Sequence, residues 1–155
     1  MSLLKVDSQH LMIYRPGTKA EYLKVNNANK LCATKSIEGQ DGLFVVNKFL
    51  NDERKQVCAV VHKDSESCIT SSSSGQNIEL KNGSDLLNNQ VIELKPDDNR
   101  FFYLISESNT NSWLFQAVNK PDTYLAIENG DATLIQSEDP SKNVPGAFLK
   151  IVKPR

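Results

Sequence analysis

WLFQAVNKPDTYLAIENGDATLIQ, from Trp113 to Gln136, is the stretch that decides how the rest of this chain is read. Two apolar runs, Trp113 to Phe115 and Thr123 to Ile127, flank the polar segment NKPD, and a third, Thr133 to Ile135, follows ENGD. Pro121-Asp122 and Asn129-Gly130 are turn pairs: proline presets φ, while Asn and Gly accept left-handed backbone that other residues avoid. Runs of three to five apolar residues between such breaks have the length of strands, and no helical period connects them.

The same outline occurs twice more. Setting LMIYRPGTKAEYL and VCAVVHKDSESCI above WLFQAVNKPDTYL places Leu11 over Val57 over Trp113, and Leu23 over Ile69 over Leu125, each pair 12 residues apart. Leu31, Ile78 and Leu134 then mark a third strand, 8, 9 and 9 residues further on. Phe44, Phe102 and Phe148 mark a fourth, at 21, 33 and 23 residues from the Leu or Ile anchor, so the middle unit carries an insertion within 82–99. Such four-strand units cannot bury an apolar face alone and must bury it jointly, and closing three of them into a ring removes exposed strand edges. The expectation is one all-β domain over 1–155, a β-trefoil of about twelve short strands, with pseudo-repeats near 5–49, 50–105 and 106–155.

Composition agrees with one globular domain: 155 residues, 39% hydrophobic, net charge −1. The 18 basic and 19 acidic residues are scattered, so no electrostatic footprint for nucleic acid or an anionic membrane is present. In MSLLKVDSQHLMIY, Lys5, Asp7 and Gln9 interrupt the apolar region a signal peptide requires, and the chain reads as leaderless and soluble. Cys32, Cys58 and Cys68 are odd in number and fit no zinc spacing, which points to reduced thiols and no metal. Catalysis finds little support. His10 and His62 are the two near-neutral bases, both read as exposed strand-end residues, and no nucleophile motif or phosphate-binding Gly loop accompanies them. SSSSG, Ser71 to Gly75, reads as a solvated hairpin turn, and Asn82-Gly83-Ser84 as a turn that also spells a glycosylation sequon. In SDLLNNQ, Ser84 is placed to cap a single helical turn.

Local sequence then narrows the trefoil classes. FQAVNKPDTYLAI, Phe115 to Ile127, resembles the signature of the interleukin-1 family, with Phe115, Val118, Pro121, Tyr124, Leu125 and Ala126 at the family's spacing. Ala117 replaces the usual Ser and Ile127 the usual Thr. KVDSQHLMIY is similar to the family's first strand, FFYLISES to its Phe-rich eighth, and AFLKIV to its closing strand.

The resemblance implies a monomeric secreted cytokine, exported without a signal peptide from a cytoplasmic precursor pool. It would bind an immunoglobulin-domain receptor and recruit an accessory chain to trigger inflammatory and immune signalling, without cofactor or enzymatic chemistry. By the same analogy one receptor surface involves the chain's start and first turn, here Asp7, Ser8, Gln9 and His10. A second draws on the loop Asn51, Asp52, Glu53, Arg54 and Lys55, and on Glu107. The accessory-chain position, acidic in the family's agonist and basic in its antagonist, is Ala147, which leaves a receptor antagonist as the alternative. Leu3 and Leu4 read as anchors or as a cover for the barrel mouth. In another class, a carbohydrate-binding trefoil would want an aromatic and polar pair in each unit, whereas the single Trp113 aligns with apolar positions and reads as core. A heparin-binding growth factor would want clustered Lys and Arg, which near-neutral charge disfavours.

Overall fold

A computed structural model describes residues 2–72, 77–107, 111–139 and 145–153. Six strands close a barrel. β1 (Ser2–Arg15) pairs with β4 (Phe44–Leu50), β4 with β5 (Gln56–His62), β5 with β9 (Phe102–Glu107), and β9 with β10 (Ser112–Ala117), all antiparallel. β13 (Lys150–Val152) returns to β1 through Met12↔Val152 to Tyr14↔Lys150. The last seam, between β10 and the approach to β13, is made by Trp113 and Leu149, which exchange backbone bonds of 2.7 and 3.0 Å. Closure leaves none of the six an unpaired edge along that seam.

Three hairpins plug one end: β2 (Glu21–Val25) with β3 (Leu31–Thr34), β6 (Ser67–Ser71) with β7 (Ile78–Asn82), and β11 (Thr123–Glu128) with β12 (Asp131–Gln136). β3, β7 and β12 touch one another there. The barrel and its three-hairpin cap make the chain a β-trefoil. The turn chemistry follows the sequence: Asn129 and Gly130 both take positive φ, 54° and 76°, in the two-residue turn joining β11 and β12.

The repeat anchors converge on one core, but Val57, aligned with Leu11 and Trp113, faces the outer side of the barrel, and its neighbour Cys58 takes the inward position. Leu11, Leu23, Leu31, Phe44, Ile69, Phe102, Leu125 and Leu134 fill the barrel, with Ile78 and Trp113 partly buried against them. The fourth anchor of the last unit is corrected by one residue. Leu149 enters the core fully buried, while Phe148 is partly exposed and packs on a small side cluster with Leu114 and Tyr124. The Trp113/Leu149 seam fixes that phase, because a one-residue slip exchanges the faces of a strand.

The continuous run VCAVV of β5 has a separate cause: it is buried on both faces. Cys58 and Val60 point into the barrel, whereas Val57, Ala59 and Val61 point outward into a second core with Leu3, Phe49, Leu86, Ile92 and Phe101. That outer core is covered by the short helix α1 (Ser84–Asn88) and by β8 (Val91–Glu93), which pairs with the start of β1. Ser84 does not cap α1. Gly83 holds the cap position, and the Asn82 side chain accepts from the Ser84 amide at 2.9 Å and its hydroxyl at 2.7 Å. Gly83 is required by contact: a Cβ there would lie 3.0 Å from the Cys68 Cβ and 3.1 Å from both Val61 methyls.

Candidate functional site

The first half of β1 lies along β4 and sets Asp7, Ser8, Gln9 and His10 opposite Lys48, Asn47, Val46 and Val45. These four residues belong to a continuous strand, so the expected turn at this place is absent; a bulge between Lys5 and Asp7 is the only break in that ladder. Ser8 is also a structural donor, giving its hydroxyl to Oδ1 of the fully buried Asn47 at 3.1 Å. Gln9 and His10 are exposed.

The loop from Asn51 to Lys55 is held by its own first side chain. Asn51 Oδ1 accepts from the amides of Glu53 at 3.0 Å and Lys55 at 2.8 Å. The backbone closes with Asn51 N to Lys55 O, 3.0 Å, and Arg54 N to Asn51 O, 2.9 Å, and Arg54 takes φ +60°. Asp52, Glu53 and Arg54 are thereby presented on a stiff tip, exposed. The Lys55 ammonium sits 4.2 Å from the Tyr103 ring centre, where cation and ring quadrupole attract. Antiparallel pairing of Cys58 with Phe102 sends β9 out past the start of β5, so Glu107, half-buried, leaves the barrel at the same end as this loop.

Of the apolar neighbours of that loop, sequence reasoning offered Leu4 as an anchor and missed Val91. Leu4 stands between Leu50 and Val91 in the ladder. Leu4 is 52% and Val91 57% exposed, and together with Asp52 and Arg54 they border a groove of about 440 Å³. Strand alternation explains the contrast with Leu3, which points the other way into the outer core and is wholly buried. Neither leucine lines the barrel mouth. Val91 carried no sequence signal, since its neighbourhood depends on β8 folding back onto β1.

Two expected positions are displaced from the surface. Ala147, in a 3-10 turn (Pro145–Ala147), is wholly buried against Leu114, Tyr124 and Ala126, so its methyl offers no contact face. His62 is 4% exposed rather than a free strand end. Its Nε2 donates to the Asp41 carbonyl at 2.9 Å, its Nδ1 lies 2.8 Å from the Ser65 hydroxyl, and its ring meets Phe44 edge-on. It pins the 38–43 loop to β5, a structural role. Ser71 and Ser72 are buried rather than solvated; the rest of the SSSSG stretch, 73–75, lies outside the described residues.

Electrostatics elsewhere are structural too. Burial pushes the Cys58 thiol up to about 12 and the Cys68 thiol higher still, and it raises half-buried Cys32 as well; all three are free. Among the described residues, no cluster of three His, Cys, Asp or Glu is placed to hold a metal. At the hairpin cap, a depression of about 670 Å³ is bordered by Asn29, Lys30, Asn77, Glu79, Asp131 and Thr133, with no aromatic side chain in its lining.

No protein-family model and no curated protein sequence matches the chain. Solved structures do. A hydrophobic-cavity mutant of chicken interleukin-1 is similar with TM-score 0.68 and 10% identity over 97% of this chain and 99% of its own. Chicken interleukin-1 beta follows with TM-score 0.61 and 13% identity over 97% and 99%. An endo-β-galactosidase from Clostridium perfringens, releasing GlcNAcα1-4Gal, is similar with TM-score 0.67 and 8% identity over 94% of this chain; the chain spans 33% of that enzyme. At these identities the likeness is one of fold.

Proposed function

We propose that this chain acts as an interleukin-1-like cytokine, binding an immunoglobulin-domain receptor outside the cell as a monomer. The reading rests on the full-length match to cytokine trefoils together with the signature-like segment Phe115 to Ile127. One observation carries the assignment of the surface: the exposed Leu4 and Val91 pair sits beside the Asn51-pinned loop, an apolar anchor rimmed by charged Asp52 and Arg54. Interfaces concentrate affinity in such anchors, and polar rims exclude water around them. Asp7, Gln9 and His10 lie further along β1, Gln9 and His10 on opposite faces of the strand, with Glu107 leaving the barrel at the same end as the loop.

Recruitment of an accessory chain, and with it agonist rather than antagonist action, is part of the proposal; since Ala147 is buried, the deciding contact belongs to other residues. The test is binding of the purified protein to a panel of interleukin-1-family receptor ectodomains, with and without accessory chains. Saturable binding tightened by an accessory chain supports the agonist, and binding without tightening the antagonist. Silence across a species-matched panel overturns the reading.

The galactosidase neighbour favours a second reading, a carbohydrate-binding module. The cap depression is the place for a sugar, with polar side chains from the three hairpins but no ring for it to stack on. Retention on a glycan array, lost on Asp131→Ala, would support it.

A further inference from the structure

The three hairpins close one end of the barrel; the other end stays open, and what lies there differs from an ordinary exposed core. Leu104, Trp113 and Ile151 are each partly buried against the barrel core, and with Leu11 and Val46 they form the floor and walls of a cavity of about 230 Å³. Its rim carries two cations, Lys48 and Lys153, and the amide of Gln9. No carboxylate among the described residues lines it. Asp7 is the one acid nearby in the ladder, opposite Lys48, yet no ion pair joins them, and neither lysine has an ion-pair partner among the described residues. Lys48 is moreover only half exposed, with the neutral Cys58 thiol beside it in the ladder.

Concave apolar sites with a few oriented polar groups are where small ligands bind, and barrel mouths are a recurrent location. This cavity is smaller than the roughly 300–1,000 Å³ typical of sites for drug-sized ligands, so its ligand is small. The geometry points to a binding site for a small amphipathic anion, a medium-chain carboxylate. Its alkyl chain covers Leu104, Trp113 and Ile151, and its carboxylate meets Lys48 and Lys153. An uncharged alkyl chain gains only the apolar term; the carboxylate adds charge-assisted bonds to ammonium groups that have no ion-pair partner among the described residues. The site shares Gln9 with the surface proposed above for a receptor but otherwise uses different residues.

Trp113 is the chain's one tryptophan and lines the cavity, so its fluorescence reports occupancy directly. The experiment titrates the intact protein with octanoate below its micelle concentration, then with octanol, and repeats both on the double variant Lys48→Gln, Lys153→Gln. Calorimetry gives the stoichiometry. Expected is a saturable change at one octanoate per chain, with affinity about tenfold weaker for octanol and about tenfold weaker for octanoate on the double variant, at unchanged thermal unfolding. Absence of a saturable change, or equal affinity for octanoate and octanol with no effect of the lysine substitutions, overturns the proposal. As a second variant, Ile151→Glu places an acid in the wall and should abolish octanoate binding; binding retained there, in a protein that still unfolds cooperatively, also overturns it.

Discussion

The Arg100 guanidinium grips the Asp85 carboxylate through Nη1 and Nη2, 2.7 and 3.1 Å, while Nε and Nη2 each donate to Asp98 at 2.9 Å and Nη1 also donates to the Asn82 carbonyl at 3.1 Å. One side chain thus ties the end of β7, the first turn of α1 and the approach to β9 into a single unit over the outer core. Its own charge is held more firmly than usual, first by the Asp98 bond.

Arg100→Ala should cost about 2–4 kcal/mol at neutral pH, because it strands Asp98, only 12% exposed, without its counter-charge. Asp85→Ala should cost only about 1 kcal/mol, since that carboxylate is 42% exposed and water replaces much of the pair. The Arg100 bond lowers the Asp85 carboxyl below its ordinary value, near 3.9. A depressed folded value means the stabilisation is complete above the ordinary value and is lost as pH falls through the folded one. Urea unfolding at pH 7 and pH 3 should therefore show the penalty of Asp85→Ala shrinking in acid; a penalty that grows would contradict the arrangement.

Thiol accessibility separates the three cysteines. Cys32 is half-buried on β3, whereas Cys58 and Cys68 are buried and their raised thiols hold little thiolate. Under native conditions an aromatic disulfide reagent should modify Cys32 first and leave the others intact until the protein is unfolded in urea. Peptide mass mapping checks the order.

Within the Asn51 to Lys55 loop, structural and contact roles fall on different residues. Asn51→Ala removes both side-chain bonds that shape the loop and should lower stability by about 1–2 kcal/mol. Asp52→Ala and Glu53→Ala should stay within about 0.5 kcal/mol of the parent, being exposed at the tip. Thermal unfolding of the three variants reads the difference.

Leu4→Ser and Val91→Ser test the proposed receptor surface. Both side chains are more than half exposed, so stability should barely move, while receptor affinity should fall at least about tenfold if they are anchors. Affinity unchanged in both would remove this patch from the interface.

Leu149→Ala and Phe148→Ala test the phase of the last barrel strand. Leu149 lies wholly in the core and should cost about 2–5 kcal/mol on truncation. Phe148, partly exposed on the side cluster, should cost clearly less despite its larger ring.

Much of this fold was written locally. Leu23, Ile69 and Leu125, found by equal spacing alone, are all wholly buried in one core, and the Asn129-Gly130 pair makes the hairpin its chemistry demands. Phe148 was misread because FLKIV is apolar at alternating and adjacent positions alike, so only the bridge from Leu149 to Trp113 selects a face. Ser84 does not cap because α1 begins one residue earlier than the sequence suggests: Gly83 holds the cap position, and the Ser84 hydroxyl donates to Asn82 instead of accepting from a helix amide. The candidate surface was half legible. Charged loop residues declare themselves by type, but the exposure of Leu4 and Val91, and the burial of Ala147 and His62, do not.

The sequence by itself determined the strand-and-turn rhythm and the residues that fill the barrel, since side-chain alternation and turn chemistry act between neighbours in the chain. The tertiary structure alone decided that β5 is buried on both faces, that Leu4 meets Val91, and that Leu104, Trp113, Lys48 and Lys153 surround one cavity. Each of these joins segments tens of residues apart, and whether a side chain is covered depends on what the distant chain lays over it, which no local pattern encodes.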